Sequence, residues 1–144
     1  MNRDWALSAI LSKGRIAMVK VVEENRSFWT LPGGGVEMGE SHAEAAVREA
    51  REEINLAIKI LRFLFKREYA AGMEYCYLAE PRYGEQGISV GHDPELDVNQ
   101  QVLKQAAWVH IEKVKDDLHV SRVIASLSQE EMEKFKINLR DAKV

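Results

Sequence analysis

The chain contains a single cysteine, Cys76, among its 144 residues, and only three prolines. One cysteine excludes an internal disulfide, so the fold has to be held together by its core. Because Tyr75, Tyr77 and Leu78 around it are typical of an apolar strand, we interpret Cys76 as a buried core thiol rather than a nucleophile. A chain of this length builds such a core without cross-links. We therefore predict one domain that covers residues 1–144.

The sequence also lacks long hydrophobic runs and blocks of basic residues. Residues 1–11 include Arg3 and Asp4 and no sustained apolar run, which argues against a signal peptide or a membrane span. The 23 acidic and 20 basic residues give a net charge of -3, and no lysine or arginine cluster could follow a polynucleotide backbone. We expect a cytoplasmic protein that binds neither membranes nor polynucleotides.

Metal-binding histidine and cysteine patterns are absent as well. The four histidines are too scattered for zinc, and we interpret them as surface or turn residues: His42, His92, His110 and His119. Apolar residues make up 46% of the chain and charged residues 30%, which excludes a disordered protein. What remains is a globular enzyme or binding domain.

Short apolar runs rich in β-branched and aromatic residues predict several strands. They cover residues 5–11, 15–22, 28–31, 57–69, 73–80 and 106–111. The polar residues 23–27 predict a turn, and three successive glycines at 33–35 predict a bend rather than the interior of an element. Helical segments are expected at residues 112–118, continued by 120–127, and after Ser128, which forms a capping-box pattern with Glu131.

Residues 41–54 form the clearest helix. Ser41 and Glu44 have the spacing of a capping box, and Asn55 is suited to the left-handed cap that ends a helix. An apolar stripe is predicted from Ala43, Ala46, Val47, Ala50 and Ile54.

The same helix gathers carboxylates on one arc. At about 100° per residue, Glu49, Glu52 and Glu53 lie side by side, with Arg48 one turn before Glu52. Glu49 and Glu53 repel each other at the i, i+4 spacing, whereas a hard divalent cation would remove that conflict. A solvated acidic face is the alternative for the helix alone. The glycines before the helix favour the metal, because they expose main-chain groups to a phosphate or a cation.

A longer motif contains these residues. Gly34 is followed after five residues by Glu40, and after seven more by the run Arg48-Glu49-Ala50-Arg51-Glu52-Glu53-Ile54-Asn55-Leu56. This spacing resembles the Nudix box, and the similarity extends over about residues 28–56. Its six matching Gly, Glu and Arg positions would coincide by chance on the order of once in ten million windows. Asn55 departs from the pattern, which has glycine there, but asparagine tolerates the same left-handed cap.

The resemblance implies an α/β fold, a Nudix-type α/β/α sandwich with a mixed β-sheet. It implies a pyrophosphohydrolase that uses Mg²⁺, or Mn²⁺, to direct water onto phosphorus in a nucleoside diphosphate linked to another moiety. The implied metal ligands are the Gly33 carbonyl with Glu49, Glu52 and Glu53. Arg48 and Glu40 are implied to hold this catalytic set in place by ion pairing and hydrogen bonding.

Further contacts are weaker candidates. Glu95, in the long polar stretch of residues 81–105, is a candidate ligand or general base, with an exposed turn glutamate as the alternative. Main-chain groups of Gly34 and Gly35 are candidates for substrate binding. Lys20 and Arg15 either reach substrate phosphates or only solubilise their strand. Four aromatic residues either stack a base or belong to the core: Phe28, Trp29, Tyr69 and Tyr83.

The substrate and the assembly stay open at this point. Nucleoside triphosphates, oxidised nucleotides, dinucleoside polyphosphates, ADP-ribose and nucleotide sugars all fit the motif. A domain that senses a nucleotide or ADP-ribose without cutting it is the alternative, although such domains would be expected to lose box glutamates. A homodimer is compatible with the length of the chain.

Overall fold

The computed structural model describes residues 3–70, 72–84, 87–89 and 103–139. Within these ranges the chain forms seven strands, three α-helices and one short 3-10 helix. The strands are β1 (Trp5–Ser12), β2 (Arg15–Glu23), β3 (Arg26–Thr30), β4 (Gly33–Gly35), β5 (Ile58–Tyr69), β6 (Gly72–Pro81) and β7 (Leu103–His110). The helices are α1 (His42–Ile54), the 3-10 helix Ile111–Val114, α2 (Leu118–Ser126) and α3 (Gln129–Lys134).

The sheet is mixed, as predicted. β1 pairs in parallel with β6, while its partners β2 and β4 run antiparallel to it. The strand order is β3-β2-β1-β6-β5, with β4 added beside β1 and β7 beside β2. β1 and β2 pair only near their shared turn, at Leu11 with Ile16 and Ser12 with Arg15. Because they separate beyond the turn, β1 can pair with β4 and β6 while β2 pairs with β3 and β7.

Alternate side chains of β1 point to opposite faces of the sheet. Leu7 and Leu11 belong to a core cluster with Val120 and Val123 of α2. Ile10 instead packs with Ala50 and Ile54 of α1. This period-two alternation buries both faces, so α1 lies on one side and the C-terminal helices on the other. The predicted α/β/α sandwich is confirmed.

Both ends of α1 agree with the prediction. Ser41 accepts a hydrogen bond from the main-chain N–H of Glu44 at 3.0 Å, and the Glu44 carboxylate accepts one from the Ser41 N–H at 2.8 Å. Asn55 ends the helix with a φ of 57°. The apolar stripe was predicted less well. Ala45 rather than Val47 faces the sheet, because it packs in one cluster with Ala6 of β1, while Val47 is 37% exposed.

The prediction of a glycine bend at residues 33–35 was wrong. These glycines form β4, which pairs with Trp5, Ala6 and Leu7 of β1. The glycines serve close approach here, since a Cβ on Gly33 would overlap the Leu7 side chain and the Ala6 carbonyl oxygen. Pairing with a distant strand therefore makes a strand from a sequence that favours a bend.

The C-terminal helices also differ in detail from the prediction. Residues 112–118 do not form one helical segment, because the 3-10 helix ends at Val114 and α2 begins at Leu118. The reason is a cap: Asp117 accepts hydrogen bonds from the N–H groups of His119 and Val120. The capping box between Ser128 and Glu131 is present at α3.

Two further observations concern the single cysteine and the length of the helices. Cys76 is fully buried in the core, and burial raises the pKa of its thiol well above its usual range. In the described part of the chain, no helix is both long enough and apolar enough to span a membrane.

Candidate active site

The acidic arc of α1 lies against β4. The Glu53 carboxylate accepts a hydrogen bond from the Gly33 main-chain N–H at 2.6 Å. The Glu49 carboxyl group lies directly over Gly34, in the space that a Cβ would occupy. Glu49 has only 16% of its side chain exposed, whereas Glu52 has 52%. The alternative of a solvated acidic face therefore fails for Glu49 and Glu53.

Arg48 is the only cationic side chain that the described residues place in direct contact with this arc. Its Nε and Nη2 atoms donate to the two carboxylate oxygens of Glu40, at 2.7 and 3.0 Å. Its Nη1 atom donates to Glu49 at 3.0 Å and to Glu52 at 2.7 Å. Nη2 also donates to the Gly35 carbonyl oxygen at 3.0 Å. One guanidinium thus joins three carboxylates, α1 and β4.

The charges in this cluster do not balance. Hydrogen bonds from Arg48 lower the pKa of Glu40, and the pair with Glu40 raises the pKa of Arg48. Burial raises the pKa of Glu49 despite its bond to Arg48. Burial likewise raises the pKa of Glu53 to about 8, and the charges of Glu49 and Glu52 add to that shift. The site holds more negative charge than its own cation compensates.

The donor atoms fit a hard divalent cation. Carboxylate oxygens and a main-chain carbonyl are the ligands that Mg²⁺ prefers. The partly buried Glu53, whose pKa is raised by burial and by neighbouring charges, is an acid that a cation would stabilise in its ionised form. In the described side-chain positions, Glu49 and Glu52 bind Arg48, and Glu53 binds Gly33. No three acidic, histidine or cysteine side chains of the described residues converge in metal-ligating geometry. The carboxylates would have to exchange these partners for a cation.

Comparison with known proteins identifies the family. The family model described as a NUDIX domain matches residues 3–127. The chain belongs to the NUDIX domain family. The prediction of a Nudix hydrolase is thereby confirmed at the level of the family, whose hydrolases generally depend on a divalent metal.

Individual relatives are more distant. An octanoyltransferase from Myxococcus xanthus is 31% identical over 113 residues, which are 76% of this chain and 31% of that protein. An RNA pyrophosphohydrolase from Pelagibacter ubique is 22% identical over 127 residues, which are 74% of this chain and 75% of that protein. The chain therefore spans about a third of the length of the first relative and three quarters of the second.

Solved structures share the fold. A MutT structure, from work on Aliivibrio salmonicida and Vibrio cholerae, superposes with a TM-score of 0.64 at 21% identity and covers 88% of this chain and 100% of that one. At this level of identity the likeness concerns the Nudix fold.

The remaining predicted site residues are placed less centrally. Gly35 contributes its carbonyl oxygen to Arg48. Lys20 lies on β2 between Trp29 and Gln105 and makes no hydrogen bond or ion pair to the Nudix glutamates within the described ranges. Glu95 lies outside the described residues, as does His92.

The aromatic candidates separate into two groups. Trp29 packs against the core, and the Tyr69 hydroxyl donates to the Arg3 carbonyl oxygen at 2.6 Å. Phe28 lies under the Arg26 guanidinium, and Tyr83 is 71% exposed. Arg15 lies 6.0 Å from the ring of Trp108.

Two residues near the site were missed by the sequence analysis. The Glu37 main-chain N–H donates to Glu40 at 3.0 Å, and the Glu37 carboxylate lies 3.6 Å from Arg48. The Arg3 guanidinium covers Gly35 and donates to the Val36 carbonyl oxygen at 3.3 Å. Glu37 occupies a position of the Nudix motif that accepts any residue, Arg3 lies outside the motif, and no periodicity marks either of them.

Two histidines are also more constrained than predicted. His42 pairs with Asp4 at 2.9 Å, and His119 pairs with Glu74 at 2.8 Å. Both rings are half-buried, and no sequence pattern predicts that either histidine has an acidic partner.

Proposed function

We propose that this Nudix protein is a divalent-metal-dependent pyrophosphohydrolase that cleaves a nucleoside diphosphate linked to another moiety by water attack on phosphorus. One observation carries the proposal: partly buried Glu49 and Glu53 and half-exposed Glu52 share one arc, against a glycine strand, with a single guanidinium among them. A cluster with this excess of negative charge is unfavourable as a purely structural feature. Its chemistry suits a cation and a polyphosphate.

Glu49, Glu52, Glu53 and the Gly33 carbonyl would hold the ion, which is Mg²⁺ or Mn²⁺. A bound ion of this kind polarises phosphorus and lowers the pKa of coordinated water. The glycine strand lets a phosphate approach the main chain, because side chains are absent there.

Arg48 and Glu40 would hold the metal-binding glutamates in position. Glu40 fixes the guanidinium from the loop before α1 with two hydrogen bonds, a geometry that orients as well as attracts. The same guanidinium reaches Glu49, Glu52 and the Gly35 carbonyl, so it sets the distance between α1 and β4. Exchange of Glu52 from Arg48 to a cation costs little, because Glu52 is half exposed and an exposed ion pair contributes about 0–1 kcal/mol.

The relatives and the charge of the chain support the proposed substrate class. The similarity to an RNA pyrophosphohydrolase over 75% of that protein supports hydrolysis of a phosphoric anhydride in a nucleotide. Net negative charge and the lack of a basic block favour small nucleotides over a polynucleotide. We also propose a cytoplasmic location and keep a homodimer as a hypothesis.

The test is turnover of a nucleotide panel with Mg²⁺ or Mn²⁺. The panel contains a nucleoside triphosphate, an oxidised nucleotide, a dinucleoside polyphosphate, ADP-ribose and a nucleotide sugar. Glu52→Gln and Glu53→Gln should each lower turnover of the best substrate by at least about 100-fold, since each removes a charged ligand.

Glu44→Gln is the matched control. It removes a charge from the same helix but keeps the capping box, because glutamine fills that position equally well, and turnover should be unchanged. Wild-type turnover in the Glu52 and Glu53 variants would refute the assigned ligands. Tight binding of a panel nucleotide without cleavage would favour the sensing domain instead.

A further inference from the structure

The C-terminal end of α1 makes a contact that the glycine of the Nudix box could not make. The Asn55 side-chain nitrogen donates to the Ser89 hydroxyl at 2.9 Å and to the Ser89 carbonyl oxygen at 3.3 Å. Glycine would adopt the φ of 57° at this position without strain, but it has no side chain to reach Ser89. The departure from the motif therefore adds an interaction.

Residues 87–89 close the end of α1 in two further ways. The Ser89 main-chain N–H donates to the Ile54 carbonyl oxygen at 3.2 Å, one of the carbonyls that a helix end leaves without an intrahelical partner. Ile88 packs against the cluster that contains Ala50 and Ile54. Hydrogen bonds and apolar packing thus hold the same short segment on the helix end.

This contact lies beside the acidic arc. Ile54 follows Glu53 directly, and the Glu53 carboxylate is bound to the Gly33 N–H. The last turn of α1 is therefore held by β4 on one side and by residues 87–89 at its end.

We infer that Asn55 is a positioning residue, which clamps residues 87–89 onto the end of α1 and so fixes the turn that carries Glu52 and Glu53. The effect on turnover rests on the proposed function. The effect on the helix end does not.

Three variants separate the clamp from the helix cap. Asn55→Gly removes both side-chain hydrogen bonds but keeps the left-handed conformation. Ser89→Ala removes the shorter bond, and Ser89→Thr keeps a hydroxyl there as the conservative rescue. Ser121→Ala is the matched control, because the Ser121 hydroxyl likewise takes part in a hydrogen bond, which it donates to the Leu118 carbonyl oxygen, but lies on α2 across the sheet.

The first measurement is backbone hydrogen exchange on the whole chain without substrate. In Asn55→Gly, the N–H groups of Ser89, residue 55 and Leu56 should exchange about tenfold faster, the scale expected for the loss of two exposed hydrogen bonds. Ser89→Ala should speed exchange of these groups about threefold. Exchange in Ser89→Thr and Ser121→Ala should match wild type. Unchanged exchange in Asn55→Gly would overturn the clamp.

The second measurement is the split between kcat and KM on the best panel substrate. Asn55→Gly should lower kcat about fivefold with KM within about twofold, since a displaced catalytic turn affects the transition state rather than substrate binding. The double variant Asn55→Gly with Ser89→Ala should have nearly the same kcat as Asn55→Gly alone, because both residues form one contact. Faster exchange with unchanged kcat would make Asn55 a structural cap only and overturn its positioning role. If wild type cleaves no panel nucleotide, the proposed function fails, while the exchange data still decide whether the clamp exists.

Discussion

Two arginines in this Nudix protein are bound in nearly the same way, yet their surroundings differ in charge. Arg48 donates from Nε and Nη2 to both oxygens of Glu40, and Arg62 on β5 does the same to Glu131 at 2.7 and 2.8 Å. Each arginine also donates to a main-chain carbonyl, and each glutamate accepts a hydrogen bond from a main-chain N–H. The difference is that Arg48 hydrogen-bonds two more carboxylates, whereas Arg62 hydrogen-bonds only Glu131 among the acids of the described residues.

The pKa shifts show the consequence. The hydrogen bonds from Arg62 lower the pKa of Glu131 to about 2, which is typical of a structural pair. Around Arg48, burial and neighbouring charge raise the pKa of Glu49 and take that of Glu53 to about 8. Arg62 is balanced, because it pairs with one acid and stabilises the charged form of that acid. Arg48 is overloaded, because it faces several acids and leaves negative charge for another cation to compensate.

The strongest way to break the Arg48 cluster is Gly34→Ala. The new Cβ would overlap the Glu49 carboxyl group, which can rotate away, so the acid moves while the fold survives. We expect turnover to fall about 100-fold, or about 2.7 kcal/mol in activation free energy, with unfolding free energy lowered by no more than about 1 kcal/mol. Enzyme assays and urea unfolding measure the two effects.

Gly33→Ala provides the contrast. Its Cβ would meet the Leu7 side chain and the Ala6 carbonyl oxygen, so stability should suffer first. Equal losses of stability in both variants would contradict the interpretation that Gly34 mainly leaves room for the Glu49 carboxyl group.

Removing the arginine itself should have the next largest effect. Arg48→Ala leaves partly buried carboxylates without their cation, and we expect a loss of about 2–3 kcal/mol in unfolding free energy near pH 9. The loss should shrink at pH 5–6, because Glu53, with a pKa of about 8, is protonated there and one charged acid fewer is left without its cation. Urea unfolding at both pH values tests this, with Arg62→Ala as the control at about 1 kcal/mol or less.

Glu53→Gln should stabilise the protein when metal is chelated. The folded pKa of about 8 lies above the ordinary 4.5, so the folded state binds a proton that the unfolded state lacks between those values. Stability therefore falls as pH rises from about 4.5 to about 8, and glutamine abolishes that loss while still accepting the Gly33 hydrogen bond. We expect a gain of about 2 kcal/mol at pH 9 and little below pH 4.5. Thermal unfolding in the presence of a chelator measures this gain. A loss of stability at pH 9 would contradict the raised pKa of Glu53.

The balanced pair should respond least. Glu131→Gln keeps the capping box with Ser128 but loses the charge that binds Arg62, at a cost of about 0.5 kcal/mol near pH 7. Because the folded pKa is lowered from 4.5 to about 2, this stabilisation exists above pH 4.5 and disappears as pH falls toward 2. Urea unfolding at pH 7 and pH 3 measures it. A larger effect than that of Arg48→Ala would reverse the comparison.

Local sequence was enough to predict α1 and its acids. The caps at Ser41 and Asn55 depend on main-chain groups within a few residues, and helical geometry alone places Glu49, Glu52 and Glu53 on one arc. The apolar run at residues 5–11 similarly predicts a strand, although not which helix covers each face. The box resemblance added the mixed sheet and the α/β/α layers.

Other features depend on partners that are distant in the chain. The bend predicted at residues 33–35 became β4 because β1 supplies the main-chain partners. The pairing of Arg62 with Glu131 and of Asn55 with Ser89 joins residues 69 and 34 positions apart. No short-range pattern encodes such contacts.

By itself the sequence determined a capped helix with an acidic arc, a strand-rich frame and membership in the Nudix family, because these follow from spacing within a few turns. The tertiary structure decided how deeply Glu49 and Glu53 are buried, that three glycines become a strand beneath them, and that Arg48 is overloaded while Arg62 is balanced. Burial and charge compensation are sums over neighbours from many strands and helices, and only the folded chain brings those neighbours together.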